Sequence, residues 1–185
     1  MKKTLFILLT ILFTVNIKAQ HTEKFLELTK SLKAIDSSIV IKKYNNGKPK
    51  EITKYLKYEY GDYNYEILSG KYQMFDKNGR LFFEQEYDRF GNLLIQRQRN
   101  NYNQVYRLLK ATKIDLKSSV SVRKLLNSNK SLLIETSEKE YSSLEKGGKL
   151  ILWKEGKRLN GKKIGDWKTY DLCNNTFKVK YYSND

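Results

Sequence analysis

A chain of 185 residues with 36 Lys+Arg against 20 Asp+Glu carries a formal charge of +16, a surplus that attracts polyanions. A single histidine, His21, and a single cysteine, Cys173, exclude an internal disulfide, a His/Cys zinc site and the histidine-based nucleophile constellations. The length suits one domain able to bury a core of its own.

Residues 1–19 read as a signal peptide. Lys2 and Lys3 form a basic start, Leu5 to Val15 is apolar apart from Thr10 and Thr14, and Ile17-Lys18-Ala19 offers a cleavage site. The apolar run is shorter than the roughly 20 residues a membrane span needs, and no cysteine lies near the cut to carry a lipid. The expected mature form, Gln20–Asp185, is exported to the periplasm or the cell exterior and keeps no transmembrane anchor. Losing Lys2, Lys3 and Lys18 takes its net charge to +13.

An amphipathic helix is expected from Thr22 to Ile35, with Phe25, Leu28, Leu32 and Ile35 on one face and Thr22 as its cap. It fills an N-terminal segment, 20–38. A first β-hairpin block, 39–100, opens with the β-branched run Ile39-Val40-Ile41 and the turn Tyr44-Asn45-Asn46-Gly47. Strands follow at Glu51–Tyr60, Tyr63–Leu68, Leu81–Tyr87 and Asn92–Arg99, separated by turns at Gly61-Asp62, Asn78-Gly79 and Phe90-Gly91. Residues 101–148 break this texture and predict a helical or irregular insertion. Helices are expected at Tyr102–Lys110 and Ser119–Leu126, a strand at Leu132–Ile134, and a further helix at Ser137–Lys146 from the capping-box pattern Ser137–Glu140. A second β-hairpin block occupies 149–185. The fold class is therefore mainly β, a sheet of repeated hairpins, with an N-terminal helix and a partly helical middle insertion.

The blocks repeat one another. Gly70-Lys71-Tyr72-Gln73-Met74-Phe75-Asp76 aligns with Gly165-Asp166-Trp167-Lys168-Thr169-Tyr170-Asp171, and the alignment continues through Phe82 with Phe177 and Tyr87 with Tyr182. Phe75–Gly79 also matches Tyr87–Gly91 at a spacing of twelve. The run Asn160-Gly161-Lys162 followed by Gly165, Trp167 and Tyr170 resembles the MORN-variant repeat of bacterial proteins labelled YwqK-like antitoxins. Gly70, Tyr72 and Phe75 match the same pattern with Tyr in place of Trp. The resemblance covers about half of the chain from Gln20, in two parts. It implies a ribbed interaction surface and, for the antitoxin label, a protein partner to neutralise.

Chemistry is sparse. No phosphate loop or dinucleotide fingerprint occurs, and His21 beside the cut is expected in a mobile tail. Glu84 and Glu86, about 7 Å apart on one strand face, are the one carboxylate pair that a hydrolase could use. The plainer expectation is two solvent-facing charges opposite Phe83 and Gln85. Cys173 is read as a turn residue, with a reactive thiol as the alternative. Tyr55, Tyr58, Tyr60, Tyr63 and Tyr65, interleaved with Lys54 and Lys57, are favoured as strand packing over a stacking platform for bases or sugars.

The function these features support is a non-enzymatic binding or scaffold module, with no catalytic residue, cofactor or metal. Its partner-binding candidates are Lys54, Tyr55, Lys57, Tyr58, Lys157, Arg158, Lys162 and Lys163. The partner is a protein or an anionic envelope polymer, and export disfavours nucleic acid. The alternatives are an envelope-associated binder of anionic lipid or polysaccharide, and a small carboxylate-dependent hydrolase.

Overall fold

The computed structural model describes residues 21–117, 120–127, 132–174 and 176–183, so the signal-like segment 1–19 lies outside the described residues. Helices α1 (Glu23–Thr29) and α2 (Val122–Asn127) accompany strands β1 (Ala34–Lys43), β2 (Pro49–Tyr60), β3 (Tyr63–Leu68), β4 (Gly70–Phe75), β5 (Leu81–Tyr87) and β6 (Leu93–Arg99). Five more strands follow: β7 (Val105–Leu116), β8 (Leu132–Ser142), β9 (Ile151–Leu159), β10 (Lys162–Tyr170) and β11 (Phe177–Tyr182). All eleven strands belong to one sheet in the order β1-β2-β4-β5-β6-β7-β8-β9-β10-β11, with β3 off this path and paired to the C-terminal half of β2. The protein is thus mainly β, with a short N-terminal helix and a second small helix in the middle of the chain. Among the described residues no helix is long and apolar enough to cross a membrane.

Five-residue turns explain why the sheet forms from local sequence. Tyr44, Asp76, Asp88 and Asn100 each donate a backbone N–H to the carbonyl four residues on, at Lys48, Arg80, Asn92 and Gln104. Each also accepts at its own carbonyl from Gly47, Gly79, Gly91 or Asn103, the residues whose φ is positive. In the last three turns the first side chain accepts from the N–H groups two and four residues on, so each corner is stapled within five residues. The Arg80 N–H, more than any other group, holds the Asp76 carboxyl below the usual carboxylate range. Asn103 occupies the glycine position at φ +61°, which is why the turn at 100–104 carries no Asn-Gly or Phe-Gly signal. Gly79→Ala has open space around the new methyl, the nearest atom being Lys48 Cδ at 3.5 Å. Its expected loss of about 1–2 kcal/mol is therefore the cost of the left-handed conformation alone. Asn103→Gly should move the other way by up to about 1 kcal/mol, and paired urea melts check both signs.

The segments that match at a spacing of 95 form hairpins with the same pairing. Gly70 faces Tyr87 and Gln73 faces Glu84 in β4–β5, while Gly165 faces Tyr182 and Lys168 faces Val179 in β10–β11. The two hairpins differ at the turn, where Asp76 N–H bonds to Arg80 but Asp171 N–H bonds to Thr176. The shorter turn is accompanied by a register shift between Met74 and Phe75 that the longer one lacks.

The core sits where the β2–β3 hairpin, the 88–92 turn, the far ends of β7 and β8, and both helices meet. Phe25, Leu32, Tyr58, Tyr65, Ile67, Phe90, Ile114, Leu116, Leu125 and Leu132 fill it. Three expectations need correction here. The helix expected at Thr22–Ile35 is confined to α1, and Ile35 lies exposed in β1. Leu32 instead reaches the core from the turn after the helix. His21 is no mobile tail: it bridges Ile114, stacks on Phe25 at 4.8 Å and places Nε2 2.7 Å from Asp88 Oδ2. The third concerns Tyr102–Lys110 and Ser137–Lys146, which are expected as helices. Most of the first lies in β7 and most of the second in β8, and only Val122–Asn127 of the insertion is helical among the described residues. The capping-box pattern is overridden because Glu138 and Glu140, two apart on a strand, both meet Arg107 on the neighbouring strand.

Candidate interaction surface

The second block is organised around a glycine and a tryptophan. Gly156 on β9 lies under the Trp167 indole from β10, and a Cβ at Gly156 would stand 2.6 Å from Trp167 Cγ. The indole Nε1 donates to the Lys157 carbonyl at 3.0 Å. Cations cover the ring: Lys163 Nζ is 4.1 Å and the Arg158 guanidinium 5.2 Å from its centroid. Arg158 Nε also donates to Glu138 Oε2, while Arg107 Nε donates to Glu138 Oε1 at 2.6 Å. Glu138 is 1 % exposed. Burial pushes its carboxyl up, but the guanidiniums of Arg158 and Arg107 outweigh this and hold it below its usual range. Glu140, 3.6 Å from Arg107, makes the cluster one of two arginines and two glutamates.

The eight partner-binding candidates separate into two groups. Lys54, Tyr55, Lys57 and Tyr58 lie on β2, second in the strand order, and the Lys157–Lys163 group lies on β9 and β10, near the opposite edge. Lys54 and Lys57 are exposed and Tyr55 is half-buried. Tyr58 is a correction: it is 1 % exposed, packs on Phe90 and donates its hydroxyl to the Arg89 carbonyl at 2.6 Å. A core residue of this kind presents nothing to a partner. In the other group Lys162 is exposed and Lys157 pairs with Glu135 at 3.0 Å. Arg158 and Lys163 are half-buried against Trp167. Tyr60 and Tyr63 of the tyrosine run are exposed, and Arg123 lies 4.3 Å over the Tyr63 ring.

Arg158 also lines a groove of about 580 Å³ with Leu93, Leu109, Ile134, Thr136, Asn160, Gly161 and Lys117. Sequence reasoning did not find it, because its walls come from β6, β7, β8 and the β9–β10 turn. The groove has an apolar floor and a cationic rim, a shape suited to an amphiphile with an anionic head. Glu84 and Glu86 do share a face, since Arg97 Nη1 meets them at 2.9 and 2.6 Å. They are not two solvent-facing charges, however: Glu84 is 7 % exposed and also accepts from Gln73 Nε2 at 3.0 Å. Cys173 is exposed in the 171–174 turn, where Asp171 Oδ1 accepts its N–H. Among the described residues no group of three His, Cys, Asp or Glu is placed to hold a metal ion.

These features define a single-sheet protein with a basic, aromatic-lined surface. No known protein family, curated protein or solved structure matches the chain.

Proposed function

We propose that this chain is an exported, non-enzymatic binding or scaffold module of MORN-variant-like hairpins, whose second block offers cations and aromatics to an acidic protein partner. The observation that carries the reading is the Lys163–Trp167–Arg158 stack beside exposed Lys162. Cations seated on aromatic rings are held at low entropic cost, so their charge is pre-positioned for a partner. Lys154, 3.5 Å over Trp153, and Lys180, 5.2 Å over Tyr182, extend the same construction across neighbouring strands.

The test is capture of envelope material on the chain from Gln20, eluted in rising salt. The expected result is one protein retained in stoichiometric amount through high salt. Changing Lys157, Lys162 and Lys163 together to Gln should weaken retention at least about tenfold, while the same change at Lys54 and Lys57 should have little effect. Mixed polyanions released together at modest salt would refute a specific module.

A second reading rests on the groove of about 580 Å³. An envelope-associated role would place an acyl chain on Leu93, Leu109 and Ile134, with its anionic head at Lys117 and Arg158. Leu109→Arg should then abolish fatty-acid binding measured by fluorescence displacement, and an unchanged displacement curve would remove this alternative.

A further inference from the structure

The edges of the sheet carry information that the basic surface does not. Every residue of β1 is exposed, and β11 is exposed from Phe177 to Tyr181. Neither outer edge has a strand partner among the described residues. Exposed edge strands with apolar side chains are pairing sites unless something covers them.

The pairing register shows how the two edges relate. One unbroken row of directly paired residues crosses the whole sheet: Ile41, Ile52, Gln73, Glu84, Arg97, Leu108, Lys139, Glu155, Lys168 and Val179. Paired residues project to one side, so Ile41 at one edge and Val179 at the other share a face. Ile39, 66 % exposed, joins Ile41 there by strand alternation, and Phe177 and Tyr181 join Val179. Every pair along the ten-strand path is antiparallel. An even number of alternating strands leaves β1 and β11 running in opposite directions. A second copy placed so as to continue the sheet and its twist therefore brings its β1 antiparallel to β11, with the apolar rows on a common face.

We infer that the protein self-associates head to tail, β11 of one copy pairing with β1 of the next. The lysines select the register. Val179 opposite Ile41 would set Lys178 against Lys42, a like-charge pair that destabilises. Val179 opposite Ile39 instead sets Phe177 against Ile41, Lys178 against Val40 and Lys180 against Ser38. The contact joins two different edges, so it propagates into an open ribbon of sheets.

The test uses sedimentation of the chain from Gln20, which holds every described residue, in a Cys173→Ser background that prevents disulfide cross-linking. The expected average mass rises with protein concentration and rises further with salt, because salt screens repulsion between two basic copies. Val179→Lys and Ile39→Lys each lower the association constant at least about tenfold and melt like the parent at concentrations where the parent is monomeric, both sites being exposed. Mixed in equal amounts they form dimers and nothing larger, since one retains an intact β1 edge and the other an intact β11 edge. A monomer at all concentrations overturns the inference, as does association that falls with salt, which means that ion pairs between copies and not the apolar edges hold them together. A mixture of variants that stays monomeric overturns it as well. The lysine substitutions of the capture experiment leave both edges intact, so either idea can fail without the other.

Discussion

Replacing Glu138 by glutamine is expected to remove about 2–4 kcal/mol of stability. The substitution keeps the side chain's size but leaves Arg107 and Arg158 without the buried carboxylate between them, Arg107 retaining only the looser contact to Glu140 at 3.6 Å. Breaking a buried ion pair from one side costs about 3–5 kcal/mol; the two guanidiniums are 30 % and 20 % exposed, so water recovers part of that. The same group sets an acid limit. Its folded carboxyl lies below the ordinary value of 4.5, so its stabilisation is complete above that value and is lost as pH falls through the lower, folded one. Urea unfolding at a series of pH values should show a shallower acid slope for Glu138→Gln than for the parent. The slope does not vanish, because Glu135 and Asp115, lowered chiefly by Lys157 and Lys113, titrate in the same direction. Equal slopes would mean that the two arginines do not hold the carboxylate in solution.

Trp167→Ala is expected to cost about 3–5 kcal/mol, the usual loss for a buried tryptophan. The indole is 5 % exposed, and its removal uncovers Gly156, strips the ring from Lys163 and Arg158, and leaves the Lys157 carbonyl without its donor. Gly156→Ala is the converse experiment. The new methyl overlaps the indole, so the ring must lift at about 1–3 kcal/mol. In the Trp167→Ala background the same glycine change should cost almost nothing, since the space it needs is empty. That non-additivity, read from a double-mutant cycle, separates a glycine kept for the tryptophan from one kept for its own backbone. Gly156 is not among the glycines with positive φ, which makes the separation clean.

Much of the sheet is legible in short stretches of sequence. Asp76 to Arg80 and Asp88 to Asn92 announce their turns, because the side-chain staple and the positive-φ glycine fall within five residues. The same logic built the turn at 100–104, yet Asn103 hid it, and with it the start of β7. The apolar residues Val105, Leu108 and Leu109 fit a helical period over that short window, and only the ladder to β8 made them a strand. Of the candidate interaction surface, the basic run Lys157–Lys163 was visible from composition. The Glu138 cluster was not, since Arg107 and Arg158 reach it from 31 and 20 residues away. Gly156 gave no local sign of its role, because the residue that needs it is on the next strand.

Turn position and strand periodicity are properties of five to ten neighbouring residues and net charge is a sum over composition, so the linear chain decided them: hairpins, basic and rich in tyrosine. Tertiary structure alone decided that Tyr58 is core while Tyr60 and Tyr63 are surface, that Leu93 and Gly161 share a groove, and that β1 and β11 are the edges. Alternation says only that one side of a strand differs from the other. Which side is buried depends on what the rest of the chain brings to it, and here the two helices bring cover to one end of the sheet alone.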